Sequence, residues 1–215
     1  MPDDANVDSA SPTWHDHAKV EEYLGRVGAL KYRQAGEEAL VEFLPEAPRR
    51  VADLGCGDGR LAALVLEHRP GVEEVVAVDR SAPMLAKARA RFADDDRVRV
   101  IERDLADDLA PLGEFDVVVS GFAIHHLDDA RKRALFGEIR QQLRPAGVFA
   151  NLEVIAAASP ELQAAFYAAI GREGGDPEDQ LVDVETQLAW MRDAGLQQVD
   201  CIWRWRGFAL LVGQA

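Results

Sequence analysis

Five short apolar runs constrain this chain most. The first four give way to glycine, aspartate or serine at or near their ends, the fifth carries Glu153, and helix-patterned stretches lie between them. The runs are 50–54, 74–78, 98–101, 115–120 and 148–154. Between the first two, Leu61, Leu64 and Val65 fall on one helical face over 60–68, which closes at Pro70-Gly71. After the second run, Ser81 is an N-cap, Pro83 suits a first helical turn, and the helix continues to about Phe92. Before the fifth, Asp128 or Asp129 caps a helix with Leu135, Ile139 and Leu143 at four-residue spacing. Strands joined by helices run parallel, and strands apolar throughout are buried on both faces. The pattern predicts an α/β chain whose parallel sheet carries helices on both sides. Such sheets bind ligands in the crevice beyond the carboxyl ends of their strands. Attention therefore goes to 53–59, Asp79, Asp104, 120–126 and Glu153.

The flanks have a different character. Residues 1–13 are read as a disordered tail and 14–45 as a helical cover in two pieces, 15–27 and 31–44. After the fifth strand come helices over 160–170 and 184–193, then strands over 201–206 and 208–212. The one-residue link between those last strands is tight for a hairpin. Asp and Glu outnumber Lys and Arg 38 to 24, a formal net charge of −14. That balance disfavours nucleic acid and anionic membrane as partners. No stretch approaches the roughly 20 apolar residues of a membrane span. The two cysteines, Cys56 and Cys201, have no metal-type spacing, and a reducing cytoplasm is the expected location. No metal site is expected, and the histidines of the WHDH stretch, His15 and His17, are read as surface.

The loop VADLGCGDG, 51–59, carries the most chemistry. Its glycines, Gly55, Gly57 and Gly59, alternate. A dinucleotide fingerprint would need its third glycine at position 60, which is Arg60, and an apolar residue where Asp53 stands. Asp79 lies 24 positions after Gly55, about where a carboxylate meets a ribose. The ligand implied has a ribose diol, no pyrophosphate and positive charge near Asp53; S-adenosylmethionine has all three properties. A nicotinamide-dependent oxidoreductase on a similar sheet is the rival that the same two positions oppose.

The chain resembles the class I S-adenosylmethionine-dependent methyltransferases. VADLGCGDGRLA, VVAVDRS, ERDLAD and FDVVVSGFAIHHLDD resemble the family's first four motifs, in order. LRPAGVF resembles its turn before the fifth strand and FALLVGQ its last strand. The resemblance implies a Rossmann-like sheet of seven mostly parallel strands with an antiparallel last strand, over 46–215. It implies that Gly55, Cys56, Gly57, Asp58 and Gly59 line the methionine end and that Asp53 meets the ammonium. Asp79 would take the ribose hydroxyls, Arg80 and Met84 would flank the adenine, and Asp104 with Leu105 would hold its amino group. Ser120, Gly121 and Phe122 would pass close to the sulfonium.

The acceptor is harder to read. Families that methylate amides or nucleobase amino groups often carry Asn/Asp-Pro-Pro-Tyr/Phe after the fourth strand, whereas this chain has Ser120-Gly121-Phe122-Ala123. That favours a small-molecule acceptor, in the branch resembling quinone-biosynthesis enzymes. His126, His125 and Glu153 are the candidate catalytic groups. Tyr23, Lys31, Tyr32 and Arg33 are candidates to meet the cofactor carboxylate or the acceptor, and Phe166 and Tyr167 to form a second wall. The alternatives are a protein that modifies or merely holds the cofactor, and a tRNA-modifying enzyme.

Overall fold

The computed structural model describes residues 16–27, 31–109 and 111–215. The tail expected over 1–13, and His15, lie outside the described residues. Seven strands form one sheet in the order β3-β2-β1-β4-β5-β7-β6. They are β1 Arg50–Leu54, β2 Glu74–Asp79, β3 Val98–Glu102, β4 Phe115–Gly121, β5 Leu143–Val154, β6 Gln197–Trp205 and β7 Phe208–Gln214. Only β7 runs against its neighbours β5 and β6 among these strands. The helices are α1 His17–Val27, α2 Lys31–Phe43, α3 Arg60–His68, α4 Ala82–Arg91, α5 Asp129–Gln142, α6 Pro160–Ala169 and α7 Val184–Asp193. No described helix is long and apolar enough to cross a membrane.

Alternation within each buried strand builds two cores, one on each face. Val51, Val75, Val117 and Val119 pack against Leu40 and Val41 of α2 and Leu61 and Val65 of α3. Ala52, Val76, Val118 and Phe149 pack on the other face with Leu135 and Ile139 of α5 and Leu188 and Met191 of α7. The chain winds outward from β1 to β3, then crosses back to β4 on the other side of β1. That reversal opens a crevice at the ends of β1 and β4.

Local chemistry sets the helix starts. Ser81 Oγ accepts from the Met84 amide at 3.3 Å, and Asp128, rather than Asp129, caps α5 by accepting from Arg131 N at 2.8 Å. Helix α3 starts at Gly59, which has no side-chain cap. Asp53 on β1 serves instead, its Oδ2 accepting from Ala62 N at 3.0 Å.

Three boundaries differ from the sequence expectation in ways that change the local geometry. Strand β6 begins at Gln197, four residues earlier, as a polar edge strand held through its backbone. The β6–β7 link is two residues, Arg206-Gly207, with Arg206 at φ 51°. Strand β5 begins at Leu143, and the expected turn lies within it as an irregularity, with Ala146 at φ 64°.

Candidate functional site

The crevice at the switch point is a cavity of about 420 Å³. Its floor is the glycine loop. Gly55 and Cys56 donate to Val78 O at 2.8 and 2.9 Å, which pins the loop to β2. Gly55, Gly57 and Gly59 have φ of 72°, 54° and 79°, the left-handed region that glycine enters without cost from a Cβ. At Gly55 a Cβ would lie 2.1 Å from that of Ala123; at Gly57 it would meet nothing nearer than Met84 Sδ at 3.9 Å.

Two aspartates bracket this loop. Asp53 is fully buried, and its Oδ1 has no hydrogen-bond partner although the residue belongs to the cavity wall. Desolvation, with Asp79 and Asp58 nearby, pushes its carboxyl up to about 7. Asp79 accepts from Gly57 N through Oδ2 and from Ser81 N through Oδ1, both at 2.8 Å. Burial raises its pKa as well, against the pull of those backbone donors.

The remaining expected cofactor residues divide in two groups. Cys56, Asp58, Arg80, Met84, Asp104, Leu105, Gly121 and Phe122 line the cavity. Asp58 pairs with Arg91 at 2.5 Å and Asp104 with Arg80 at 3.2 Å. Gly59 lies under the loop, where a Cβ would stand 2.5 Å from the Phe92 ring. Ser120 is buried behind the wall, donating to Leu54 O at 2.8 Å. Burial lifts the Cys56 thiol well above its usual value, which disfavours the thiolate. Phe122 carries φ 57° in a non-glycine residue, held by its N–H donating to Leu152 O at 2.7 Å. Strain of that kind concentrates at functional sites.

The candidate catalytic trio separates. His126 lines the cavity, whereas His125 and Glu153 are buried behind it. His125 Nδ1 lies 2.6 Å from Glu153 Oε1. Glu153 turns away from the acceptor side because side chains alternate along a strand: its neighbour Leu152 faces the cavity. Burial, then the adjacent His125, drives His126 down to about 2, so its imidazole is neutral across the physiological range.

The first helices contribute Leu24, Arg33 and Glu37 to the cavity lining. Glu37, which the sequence reading missed, is buried and bonded to both Arg33 and Arg60. Burial would raise its carboxyl, but the hydrogen bond from Arg60 and the charge of Arg33 outweigh that and lower it. The i,i+4 spacing of Arg33 and Glu37 was a signal for half of this network. Arg33 also lies over the Phe122 ring at 5.0 Å. Lys31 and Tyr32 are exposed, and Tyr32 stacks on Trp205 at 3.5 Å. The Tyr23 side chain lies outside the described residues. Helix α6 is no second wall here: Phe166 is buried against Phe208 and Trp205, and Tyr167 donates to Asp179.

Residues 51–147 match the family described as a methyltransferase domain. An uncharacterized methyltransferase of Mycobacterium tuberculosis is 40% identical over 95 residues, 44% of this chain and 46% of that protein. The demethylmenaquinone methyltransferase of Thermus thermophilus is 36% identical over 125 residues, 58% of this chain and 54% of that protein. The chain thus spans about half the length of these curated relatives. In fold, an O-methyltransferase family protein from Burkholderia thailandensis superposes with a TM-score of 0.72 at 23% identity, covering 93% of this chain and 60% of that one. The sheet order, the glycine loop and the matched family agree: this chain carries a class I S-adenosylmethionine-dependent methyltransferase domain.

Proposed function

We propose that the chain is a methyltransferase that holds S-adenosylmethionine along the glycine loop and alkylates a small-molecule acceptor. The observation that carries this reading is the unused acceptor capacity at the two ends of the loop. Asp53 Oδ1 is buried and unpartnered, a costly state that a ligand ammonium relieves. A carboxylate has about four lone-pair sites. Asp79 uses two on the backbone, which leaves two for a pair of ribose hydroxyls. The residues therefore fit the cofactor. Bound there, it supplies an electrophilic methyl on a sulfonium.

The protein's own part is positioning and exclusion of water. Arg33 and Arg60 both bond the Glu37 carboxylate and line the cavity, where a guanidinium suits the cofactor's carboxylate. Asp104 and Arg80 stand at the opposite end, beside Leu105 and Met84, and would hold the adenine. Phe122, Leu24 and Leu152 give the acceptor an apolar approach, with neutral His126 at its side. A cavity of this size suits a small molecule, and the net charge of −14 opposes nucleic acid. The Thermus relative's name gives a quinone-type acceptor, which supports the quinone-biosynthesis-like branch. Two free cysteines, one buried and one half-buried, suit a reducing cytoplasm.

The test is acceptor-dependent formation of S-adenosylhomocysteine, followed by mass spectrometry across hydroxyquinones, catechols and small carboxylic acids. Methylated product from any of these supports the reading. Conversion of the cofactor itself, or transfer to tRNA alone, would replace it.

Asp53 gives a pH signature. Its ordinary value is 3.8, and folding lifts it to about 7. Between those values the unliganded fold keeps a proton that the unfolded chain has lost, so stability falls as pH rises through that window. A ligand ammonium needs the carboxylate, so binding releases the proton. S-adenosylhomocysteine should bind roughly tenfold more weakly at pH 6 than at pH 8. Calorimetry in two buffers of different ionisation enthalpy should show about one proton released at pH 6 and almost none at pH 8. Asp53→Asn should abolish that release. A flat pH profile in the parent protein would mean that the ammonium lies elsewhere.

A further inference from the structure

Three donors from two segments converge beside the cavity, and the alkylation chemistry above uses none of them as a set. His125, His126 and Asp179 each offer one ligand atom, all within 4.8 Å of one another. Asp179 Oδ1 lies 3.6 Å from His125 Nε2 and 3.9 Å from His126 Nδ1. Those gaps exceed a hydrogen bond. They are close to the spacing of two ligands about 2.1 Å from one tetrahedral ion, which is about 3.4 Å. The Asp179 side chain is only 5% exposed, and its Oδ1 is buried without a hydrogen-bond partner.

The surroundings orient all three. Glu153 Oε1 lies 2.6 Å from His125 Nδ1, and with that nitrogen donating to Glu153 the Nε2 lone pair faces the Asp179 oxygen. Two acceptors then face each other in a buried space, an arrangement that a cation between them relieves. A carboxylate behind a ligating imidazole is a recurrent support of metal-bound histidine. The other Asp179 oxygen accepts from Tyr167 OH at 3.2 Å. The loop carrying Asp179 is tied to the histidine turn, Gln180 N donating to His125 O at 2.9 Å and Gln180 Nε2 to His126 O at 3.3 Å. Lys132 Nζ also donates to Gln180 O.

We propose that His125 Nε2, His126 Nδ1 and Asp179 Oδ1 form a divalent metal site of the zinc type beside the cavity, reached from it past His126. Two imidazoles and one carboxylate select a borderline transition ion over Mg²⁺ or Ca²⁺, which prefer all-oxygen shells. Three protein ligands leave a fourth position for water or an acceptor oxygen. His126 Nδ1 contacts Glu178 O at 3.4 Å, so ligation requires it to give up that contact and take the tautomer whose proton sits on Nε2. The sequence analysis expected no metal because Asp179 is more than 50 residues from the histidines and sits in a stretch, GREGGDPED, that reads as a loose connection.

The test uses untagged full-length protein stripped with chelator and titrated with ZnCl₂ alone. One Zn²⁺ per chain with micromolar or tighter affinity is expected, with no competition from millimolar Mg²⁺. Asp179→Asn and His126→Ala should each weaken binding by tenfold or more, while His68→Ala, on an exposed helix end, should not. Co²⁺ loaded into the parent protein should give the intense visible bands of a tetrahedral ion, a readout that needs no variant to fold. Absence of stoichiometric Zn²⁺ binding, absence of those Co²⁺ bands, or equal affinity in a folded Asp179→Asn protein overturns the proposal. Binding of S-adenosylhomocysteine to the parent protein is measured separately, so failure of the metal site and failure of the cofactor reading are distinguishable.

Discussion

Asp79→Ala is expected to lower affinity for S-adenosylhomocysteine by tenfold or more, about 1.5–3 kcal/mol. The argument starts from where a carboxylate can spend its lone pairs. Asp79 ends β2, and the backbone there turns so that Gly57 N and Ser81 N each reach one of its oxygens at 2.8 Å. Both bonds hold the carboxylate rigidly at the cavity wall. The ligand hydroxyls then meet a preorganised acceptor and lose little on ordering it. Alanine removes those contacts and also strands two backbone donors, so the fold should weaken by about 1–3 kcal/mol. The two effects are separable: melting of the unliganded variant reads the second, and calorimetric titration reads the first. Asp79→Asn sharpens the test. Its amide keeps one oxygen for a backbone donor but turns an NH₂ toward the other, so one contact becomes donor against donor. A folded Asp79→Ala protein with parental affinity would remove the ribose assignment altogether.

How far the sequence could be read follows from the range of each interaction. Strand β1, helix α3 and the caps at Ser81 and Asp128 are written in neighbouring residues, and the structure places them where glycine, proline and apolar spacing indicate. Strand β6 starts earlier than its side chains suggest, because Gln197 to Asp200 are largely exposed and join the sheet through backbone pairing with β7. Glu37 escapes notice for a different reason. A glutamate on an amphipathic helix reads as surface. Its burial depends on Arg60, 23 residues away, which also lines the cavity. The trio of His125, His126 and Glu153 shows the limit most clearly. Their positions at strand ends mark all three, yet a strand's period of two sends Glu153 to the far side of the wall from Leu152. Only the fold reveals that Glu153 meets His125 there and that Asp179 arrives from the other direction.

The second large effect separates two glycines that look alike in VADLGCGDG. Gly55→Ala should destabilise the protein by about 2–5 kcal/mol. Its φ of 72° costs a side chain about 1–2 kcal/mol. The new Cβ would also lie 2.1 Å from Ala123 Cβ, a short side chain that cannot swing aside. The loop cannot easily retreat, since Gly55 N and Cys56 N are bonded to Val78 O. At about 2–4 °C per kcal/mol for a chain of this size, the melting temperature should fall by roughly 10 °C. Gly57→Ala carries the same backbone penalty, with φ 54°, but its Cβ meets only Met84 Sδ at 3.9 Å. Its melting temperature should drop by about 2–8 °C, less than for Gly55→Ala. The methyl added at Gly57 instead occupies cavity space and should cost about tenfold in affinity for S-adenosylhomocysteine. One glycine thus answers to folding and its neighbour to binding. Equal melting losses in the two variants would show that the contact with Ala123 does not constrain the loop. Parental affinity in Gly57→Ala would show that the ligand passes clear of the loop's centre, and the Asp53 and Asp79 assignments would then need a different path between them.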